Sequence, residues 1–501
     1  MTVRPNSVQA RDVAHVLHPY TNASLHEQIG PVVITRGEGI YVFDDQGTRY
    51  IEGLSGLFCA SLGFSEERLV EAAIRQMRKL PFYHSFGHKT NEPSVELAER
   101  LIAMAPAPMS KVFFANSGSE ANDTAIKLTW YYHNAIGKPQ KKKIISRIRA
   151  YHGVTVASAS LTGLPNNHRD FDLPIARVLH TECPGFYRFG LPDESEEAFA
   201  ARCARSLEEL IEREGADTIG AFFAEPIMVS GGCIVPPPTY YEKIQAVLKK
   251  HDILLIADEV ICGFGRTGAM FGCETFGIKP DMITMAKQLS AAYQPISALM
   301  INEKTYRAVV SESAAIGTFG HGFTYGGHPV AAAVALETLK IYEERDIVGH
   351  VRRVAPAFED GLKRLGQHPM VGEARGKGLV GALELVEDKA MRKSFDPAAG
   401  VAAYVGARPG ARRNHALPGR QRQLMPAADH HRGRYRRPHG AHQTRSRRRA
   451  RVGRTWNAIA LGRVAQRLAA ANLVASSLRL THKQSRRRSY AVAGGAPTPE
   501  T

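Results

Sequence analysis

ILLIADEV (Ile253–Val260) and DMITMAK (Asp281–Lys287) are two apolar runs of strand length that end on polar residues, and their reading decides the fold. Runs this short and this apolar suit strands buried on both faces, as in a parallel sheet covered by helices. Two more runs share the form: VFFANS (Val112–Ser117) and IGAFFAEP (Ile219–Pro226). Between Val112 and Leu299 they alternate with longer amphipathic stretches, the signature of an α/β domain with a mostly parallel sheet. SEANDTAIKLTWYYHNAIG, directly after the first run, predicts a helix with Ser119 near its start. In such sheets ligands sit beyond the strand ends, so the polar termini of these runs are the candidate chemistry.

Three of those termini stand out. In ANSGSEAND, Gly118 and Ser119 lie between strand and helix, where free backbone N–H groups and the positive helix end suit a phosphate. An isolated Gly-Ser turn is more often only a helix start. Asp258 closes an apolar strand, where a carboxylate is costly to desolvate unless a cation or a hydrogen-bond donor meets it. Lys287 follows 29 residues later at the end of the next strand. Most lysines are solvated surface charges, but one lodged beside a cofactor has a reason to lose its proton and attack a carbonyl.

Outside this region, GIYVFDDQGTRYIEG (Gly39–Gly53) predicts a hairpin turning at Asp45, Gln46 and Gly47. GGHPVAAAVALETLKIYEE predicts a long helix, and KGLVGALELVED (Lys377–Asp388) returns to strand patterning. No internal repeat is visible.

The 501 residues carry a formal charge of +17, but the charge is lopsided. From Ala403 to Thr501 there are 22 Lys and Arg against 2 Asp and Glu, and no Phe, so everything before is slightly acidic. An ordinary enzyme-like chain is thus followed by a basic tail of different composition. All 6 cysteines (Cys59, Cys183, Cys203, Cys233, Cys262 and Cys273) precede the tail, without a CxxC pair, so neither a zinc site nor a disulfide framework is suggested. No segment reads as a signal-peptide core or a membrane span. The expectation is a soluble, cytoplasmic protein without a membrane or a specific nucleic-acid partner.

The ordered set SGSEAND, YHG, AEPI, ADEVICGFGRTG, MAKQLSAAYQPISA and TYGGHPVAAA resembles class III pyridoxal-phosphate aminotransferases of fold type I, especially the omega-amino acid:pyruvate branch, over about Tyr20 to Arg408. The resemblance implies a large domain around a mostly parallel central sheet and a smaller α+β domain built from both chain ends. The expected divisions are 1–60 for the N-terminal part of the small domain, 61–328 for the cofactor-binding domain, 329–408 for a linking helix and truncated small-domain remainder, and 409–501 for the tail. It also implies pyridoxal 5'-phosphate as cofactor, with Lys287 bonded to it and serving as base, and Asp258 keeping its ring nitrogen protonated. Gly118 and Ser119 would bind the phosphate, Tyr151 and Val260 would cover the two ring faces, and His152 and Glu225 would hold the ring in register. Thr324 would reach the phosphate of a second subunit, which makes a homodimer part of the site. Leu57, Phe58 and Phe86 would shape the substrate pocket, Phe58 standing where Trp is common; they could equally be core aromatics and aliphatics. The expected reaction passes an amino group from an amine or omega-amino acid to a keto acid, pyruvate first among them. Decarboxylases and aminomutases of the same fold share Lys287 and Asp258, but the omega-type N-terminal third argues against both.

Past Arg408 the resemblance stops. The family continues with an arginine that pairs the keto-acid carboxylate, then a Pro-Pro-Leu-Ile strand and a final helix, whereas here PGARRNHALPGRQRQLMPAADHHRGRYRRPHGAHQT has neither periodicity nor an apolar face. Moving the reading frame by one base over Gly410–Thr444, with permissible codons, regenerates the family segment. A frameshift near Arg408 therefore accounts for the tail, and the displaced arginine would fall across Ala416 and Leu417. The alternative for the tail is a basic arm for nucleic acid, with Arg432–Arg451 rich enough in arginine for phosphate contacts. For the chain as written, the lost arginine also sets a second function beside the aminotransferase: a catalytically impaired remnant that keeps the cofactor site. The tail is expected to be largely disordered.

Overall fold

The computed structural model describes residues 4–401 and a two-residue strand, His415–Ala416. Fourteen strands form three sheets among the described residues. The first holds β1 (Ile34–Glu38), β2 (Tyr41–Asp44) and β3 (Arg49–Ile51) as an antiparallel meander. The predicted hairpin is its second half: Asp44 Oδ1 accepts the N–H groups of Gln46 and Thr48, and Gly47 takes φ 75° in the turn.

The central sheet contains β4 (Lys111–Ala115), β5 (Lys143–Arg147), β6 (Val178–Thr181), β7 (Ile219–Ala224), β8 (Leu254–Asp258), β9 (Met282–Met285) and β10 (Ser297–Ile301), in the order β4-β10-β9-β8-β7-β5-β6. β10 is antiparallel to both neighbours, so β4 runs the same way as β9, and every strand but β10 points in one direction. The class is therefore α/β with a mostly parallel sheet, as expected. What the strand patterning did not reveal is the reversal of β10: SALMI is as apolar as its neighbours and buried throughout.

Side chains on the sheet alternate between two cores. Phe222, Leu255, Ile283 and Met300 point to one side, where Leu207, Ile211, Ile244 and Val334 meet them. Ala221, Phe223, Ile256 and Leu299 point to the other and pack on Ile126, Leu128 and Leu161. Period-2 alternation with apolar residues on both faces is what a sheet sandwiched between helices requires. The helix Gly118–Ala135 is fixed at its start by Ser117, whose Oγ accepts the N–H of Glu120, while Glu120 Oε2 accepts the N–H of Asn116.

The predicted long helix is Pro329–Glu344, and Ile347–Gly366 follows it. The latter lays Phe358 and Leu362 on the third sheet, made of β11 (Val371–Lys377), β12 (Val380–Asp388) and β13 (Lys393–Ser394). Arg345 meets the buried Glu66 at 2.7 Å and ties this region back to the start of the helix Glu67–Lys79. The last strand, β14 (His415–Ala416), runs parallel to β3. No helix among the described residues is long and apolar enough to cross a membrane. The expectations about the tail, namely the frameshift near Arg408, the displaced arginine, the nucleic-acid arm and disorder, lie outside the described residues.

Candidate active site

Because β4, β5, β7, β8 and β9 run the same way, the residues just beyond their ends share one edge of the sheet. Gly118 and Ser119 follow β4, Tyr151 and His152 follow β5, Glu225 follows β7, Asp258 ends β8, and Lys287 lies two residues past β9. The sheet order places β8 between β7 and β9, so Asp258 is flanked by Glu225 and Lys287.

Asp258 is buried at 3% exposure and surrounded by donors. Its Oδ2 accepts His152 Nδ1 at 2.7 Å and Asn122 Nδ2 at 2.8 Å, and its Oδ1 accepts the N–H of Val260 at 3.0 Å. Asn122 also donates to the His152 carbonyl at 2.7 Å, so one amide clamps the histidine and the aspartate together. The burial of Asp258 excludes a solvated surface carboxylate at the strand end. Asn122 escaped the sequence reading; it sits one helical turn after Gly118, inside the SGSEAND motif, and its position there was the available signal.

Glu225 is also buried. Its Oε1 accepts the N–H of Tyr151 at 3.0 Å, and its own carbonyl is held by Arg147 Nη2 at 2.7 Å and by the Tyr241 hydroxyl at 2.5 Å. Burial pushes the carboxyl up to about 8, with the charge of Asp258 adding, while the Tyr151 N–H, Arg147 and Lys287 pull the other way. Arg147, fully buried on β5, is a second residue that sequence reading missed.

Burial lowers the Lys287 ammonium from its usual value, opposed chiefly by the negative charge of Asp258. Its backbone takes φ 47°, a left-handed conformation that a non-glycine residue adopts at a cost and that is frequent at working sites. A lysine held this way is closer to the neutral amine that a nucleophile or base must be.

At the other end, Val260 lies against Gly118: a Cβ built on that glycine would stand 3.1 Å from both Val260 methyls. Ser119 Oγ accepts the N–H of Val154, and a Cβ on Gly153 would fall 2.5 Å from that same Oγ. The two glycines thus let the YHG turn and Val260 close on the helix start.

Phe58 is half-buried, at φ 61°, and packs on the apolar cluster of Ile227, Val229 and Val380. Leu57 and Phe86 are exposed, at 59% and 48%. Thr324 is exposed on the loop that follows Gly322, where an added Cβ would stand 2.7 Å from the Phe86 ring, and no hydrogen bond among the described residues joins Thr324 to the Gly118–Ser119 turn. The same loop is pinned by His321, which stacks on Phe113 at 5.1 Å and contacts Thr124 Oγ1 at 3.0 Å and Lys127 Nζ at 2.9 Å.

The residues present fit pyridoxal phosphate. His152 Nε2 and Asn122 Oδ1 are buried without a hydrogen-bond partner, and Asp258 Oδ1 accepts a single backbone N–H, so polar capacity is left over beside a desolvated carboxylate and a lysine. Orphaned buried polar atoms of this kind call for a polar guest.

A family model described as "Aminotransferase class-III" matches residues 22–405. The chain belongs to the class III aminotransferases. It is 52% identical over 409 residues to gamma aminobutyrate transaminase 3, chloroplastic, of Solanum lycopersicum, with 80% of this chain and 79% of that one covered. Among solved structures it is similar to the omega transaminase of Pseudomonas jessenii in complex with PMP, at TM-score 0.80 and 57% identity, covering 80% and 89% of the two chains. A structure described as a transaminase with L-ala is 60% identical at TM-score 0.73, covering 76% and 89%. The fold is thus fold type I, the activity is amino-group transfer between an amine donor and a keto acid, and the cofactor of the family is pyridoxal phosphate.

The cytoplasmic expectation is corrected by the same comparison: the tomato relative is named as chloroplastic, and others from tomato and rice as mitochondrial. The expectation rested on the cysteine pattern and on a start without a signal-peptide core, neither of which specifies a compartment.

Proposed function

We propose that this aminotransferase takes the amino group of an omega-amino acid or related primary amine and delivers it to pyruvate, in two half-reactions at a site shared between two copies of the chain. The observation that carries the reading is the convergence of Asp258, Lys287 and the Gly118–Ser119 helix start on one edge of the sheet. Pyruvate is supported by the similarity to a transaminase with L-ala, alanine being what pyruvate becomes on amination. γ-Aminobutyrate is the first donor to test, from the name of the tomato relative.

Pyridoxal phosphate, when bound, supplies a carbonyl to receive the amine and a ring that accepts electrons. Gly118 and Ser119 would hold its phosphate through backbone N–H groups and the helix dipole. Asp258, kept in place by His152 and Asn122, would hold a proton on the ring nitrogen. Tyr151 and Val260 would cover the ring faces, and Glu225, protonated at neutral pH, would donate rather than repel. Lys287 would anchor the cofactor and, once displaced by the amine, take the proton from the substrate's amine-bearing carbon and deliver it to the cofactor carbon on the other side of the shared nitrogen. Leu57, Phe58 and Phe86 would border the substrate. Thr324, exposed in its own chain, would serve the partner's phosphate, and the division into segments 1–60, 61–328, 329–408 and 409–501 follows the same reading.

A second reading has its own observation. The family match ends at residue 405, just before the composition changes, which supports a frameshift near Arg408 and, for the chain as written, a cofactor-binding remnant without its carboxylate-binding arginine. One experiment separates the two. The gene is resequenced across the codons for Tyr404–Pro426, and the chain as written and its frame-restored counterpart are assayed for alanine formation from pyruvate with γ-aminobutyrate, β-alanine, a diamine and an arylalkyl amine. Brisk turnover by the chain as written sinks the remnant reading. An inactive restored chain that carries the cofactor sinks pyruvate as acceptor or these amines as donors.

A further inference from the structure

Away from the sheet, the N-terminal segment gathers three side chains that the transamination chemistry does not use. Asp12 sits on the first helix, Val8–His15, His18 in the turn after it, and His26 on the second helix, Ala23–Ile29. Both imidazole Nε2 atoms converge on one carboxylate oxygen, Asp12 Oδ1, at 2.8 Å for His18 and 3.0 Å for His26. His18 Nε2 also lies 3.0 Å from Asp12 Oδ2, and the two rings are tilted with centroids 4.2 Å apart.

From this geometry we propose that Asp12, His18 and His26 form a binding site for a borderline divalent cation of the Zn²⁺ type. The three donor atoms lie within 4.8 Å of one another. Ligands about 2.0–2.1 Å from a tetrahedral ion stand ~3.3 Å apart, so small side-chain movements bring the set to coordination distance. Two neutral imidazoles and one carboxylate are a donor set of intermediate softness, and they fill three positions while leaving a fourth for water. The side chains are 29%, 10% and 19% exposed for His18, His26 and Asp12, which leaves the ion a route in while keeping the ligands partly ordered.

The fold gives such an ion a task. The first helix buries none of its residues, and Val16 and Leu17 after it are exposed. Gln9 Nε2 donates to Asp45 Oδ2 at 2.6 Å, and within the chain the His26 contact to Asp12 joins this helix to the second one. A cation bridging the three ligands turns those contacts into a staple across the segment.

The test uses the full chain loaded with pyridoxal phosphate, and Zn²⁺ alone as the probe. Equilibrium dialysis with elemental analysis compares the parent with His18→Ala and Asp12→Asn. The histidines of the basic tail are common to all three proteins, so the reading is the difference: the parent should hold one more zinc per chain than either variant. In the unaltered chain, Zn²⁺ should slow tryptic cleavage after the exposed Arg11 at least tenfold, and a chelator should restore it. Equal zinc content in parent and variants, or cleavage after Arg11 indifferent to Zn²⁺, overturns the site and leaves a hydrogen-bonded His-Asp-His clamp.

Discussion

His152 Nδ1 lies 2.7 Å from Asp258 Oδ2, and both side chains are buried at the end of the central sheet. Nothing local in the sequence joins them: they come from different strand ends, and Asn122, from a third element, donates to both. A buried carboxylate with this much donor support is held in one orientation, as a group that must face a fixed partner atom requires.

Replacing Asp258 by Asn keeps the shape and removes the charge. Turnover of the frame-restored enzyme should fall by about a hundredfold or more, comparable with losing a principal electrostatic stabiliser, while the fold survives. Stopped-flow of a single half-reaction is the direct measurement, and a loss below threefold would show that Asp258 is structural only.

Lys287→Ala should abolish turnover by about a thousandfold or more, since one group anchors the cofactor and moves the proton. Borohydride treatment of the parent followed by peptide mass analysis should find the cofactor on the Lys287 peptide. Label on another lysine would refute the assignment.

Gly153 has φ 138°, and a Cβ there would fall 2.4 Å from Ser158 Oγ and 2.5 Å from Ser119 Oγ. Gly153→Ala therefore combines an unfavourable backbone conformation with overpacking, and should cost about 1–3 kcal/mol in urea unfolding. Because Ser119 is displaced, the affinity for pyridoxal phosphate should fall with it; unchanged affinity would separate the YHG turn from the phosphate cradle.

Glu259, beside Asp258 in sequence, is buried and accepts the N–H groups of Gly272 and Cys273 at 2.9 and 2.6 Å, yet burial pushes its carboxyl up to about 7 from the usual 4.5. The folded chain then keeps a proton that the unfolded chain releases between those values. The stabilisation is present in full below 4.5 and is lost as pH rises through 7, a decline of about 3 kcal/mol from this group. Glu225 contributes with the same sign up to about 8, so the reading is a comparison: Glu259→Gln should flatten the fall in unfolding free energy between pH 5 and 8. An equal slope in parent and variant would remove Glu259 from the account.

Much of the frame was legible from residues alone. The apolar runs ending at Asp258 and Lys287, the helix start at Gly118 and the hairpin at Gly47 are local patterns, set by side-chain period and turn chemistry, and each formed where its residues said. Their order along the chain was enough for the family. The localisation was not legible, because free thiols carry no address.

What only the tertiary structure decided is which groups face one another. The direction of β10 depends on its neighbours, since a strand buried on both faces reads alike either way. Asn122 clamps the His152 carbonyl to Asp258, Arg147 holds the Glu225 carbonyl, and His321 pins the Thr324 loop. Each is a contact between residues far apart in sequence, made only after the sheet has brought its strand ends to one edge. Periodicity is written in single elements and can be read one element at a time; the direction of a hydrogen bond between elements exists only once they are packed.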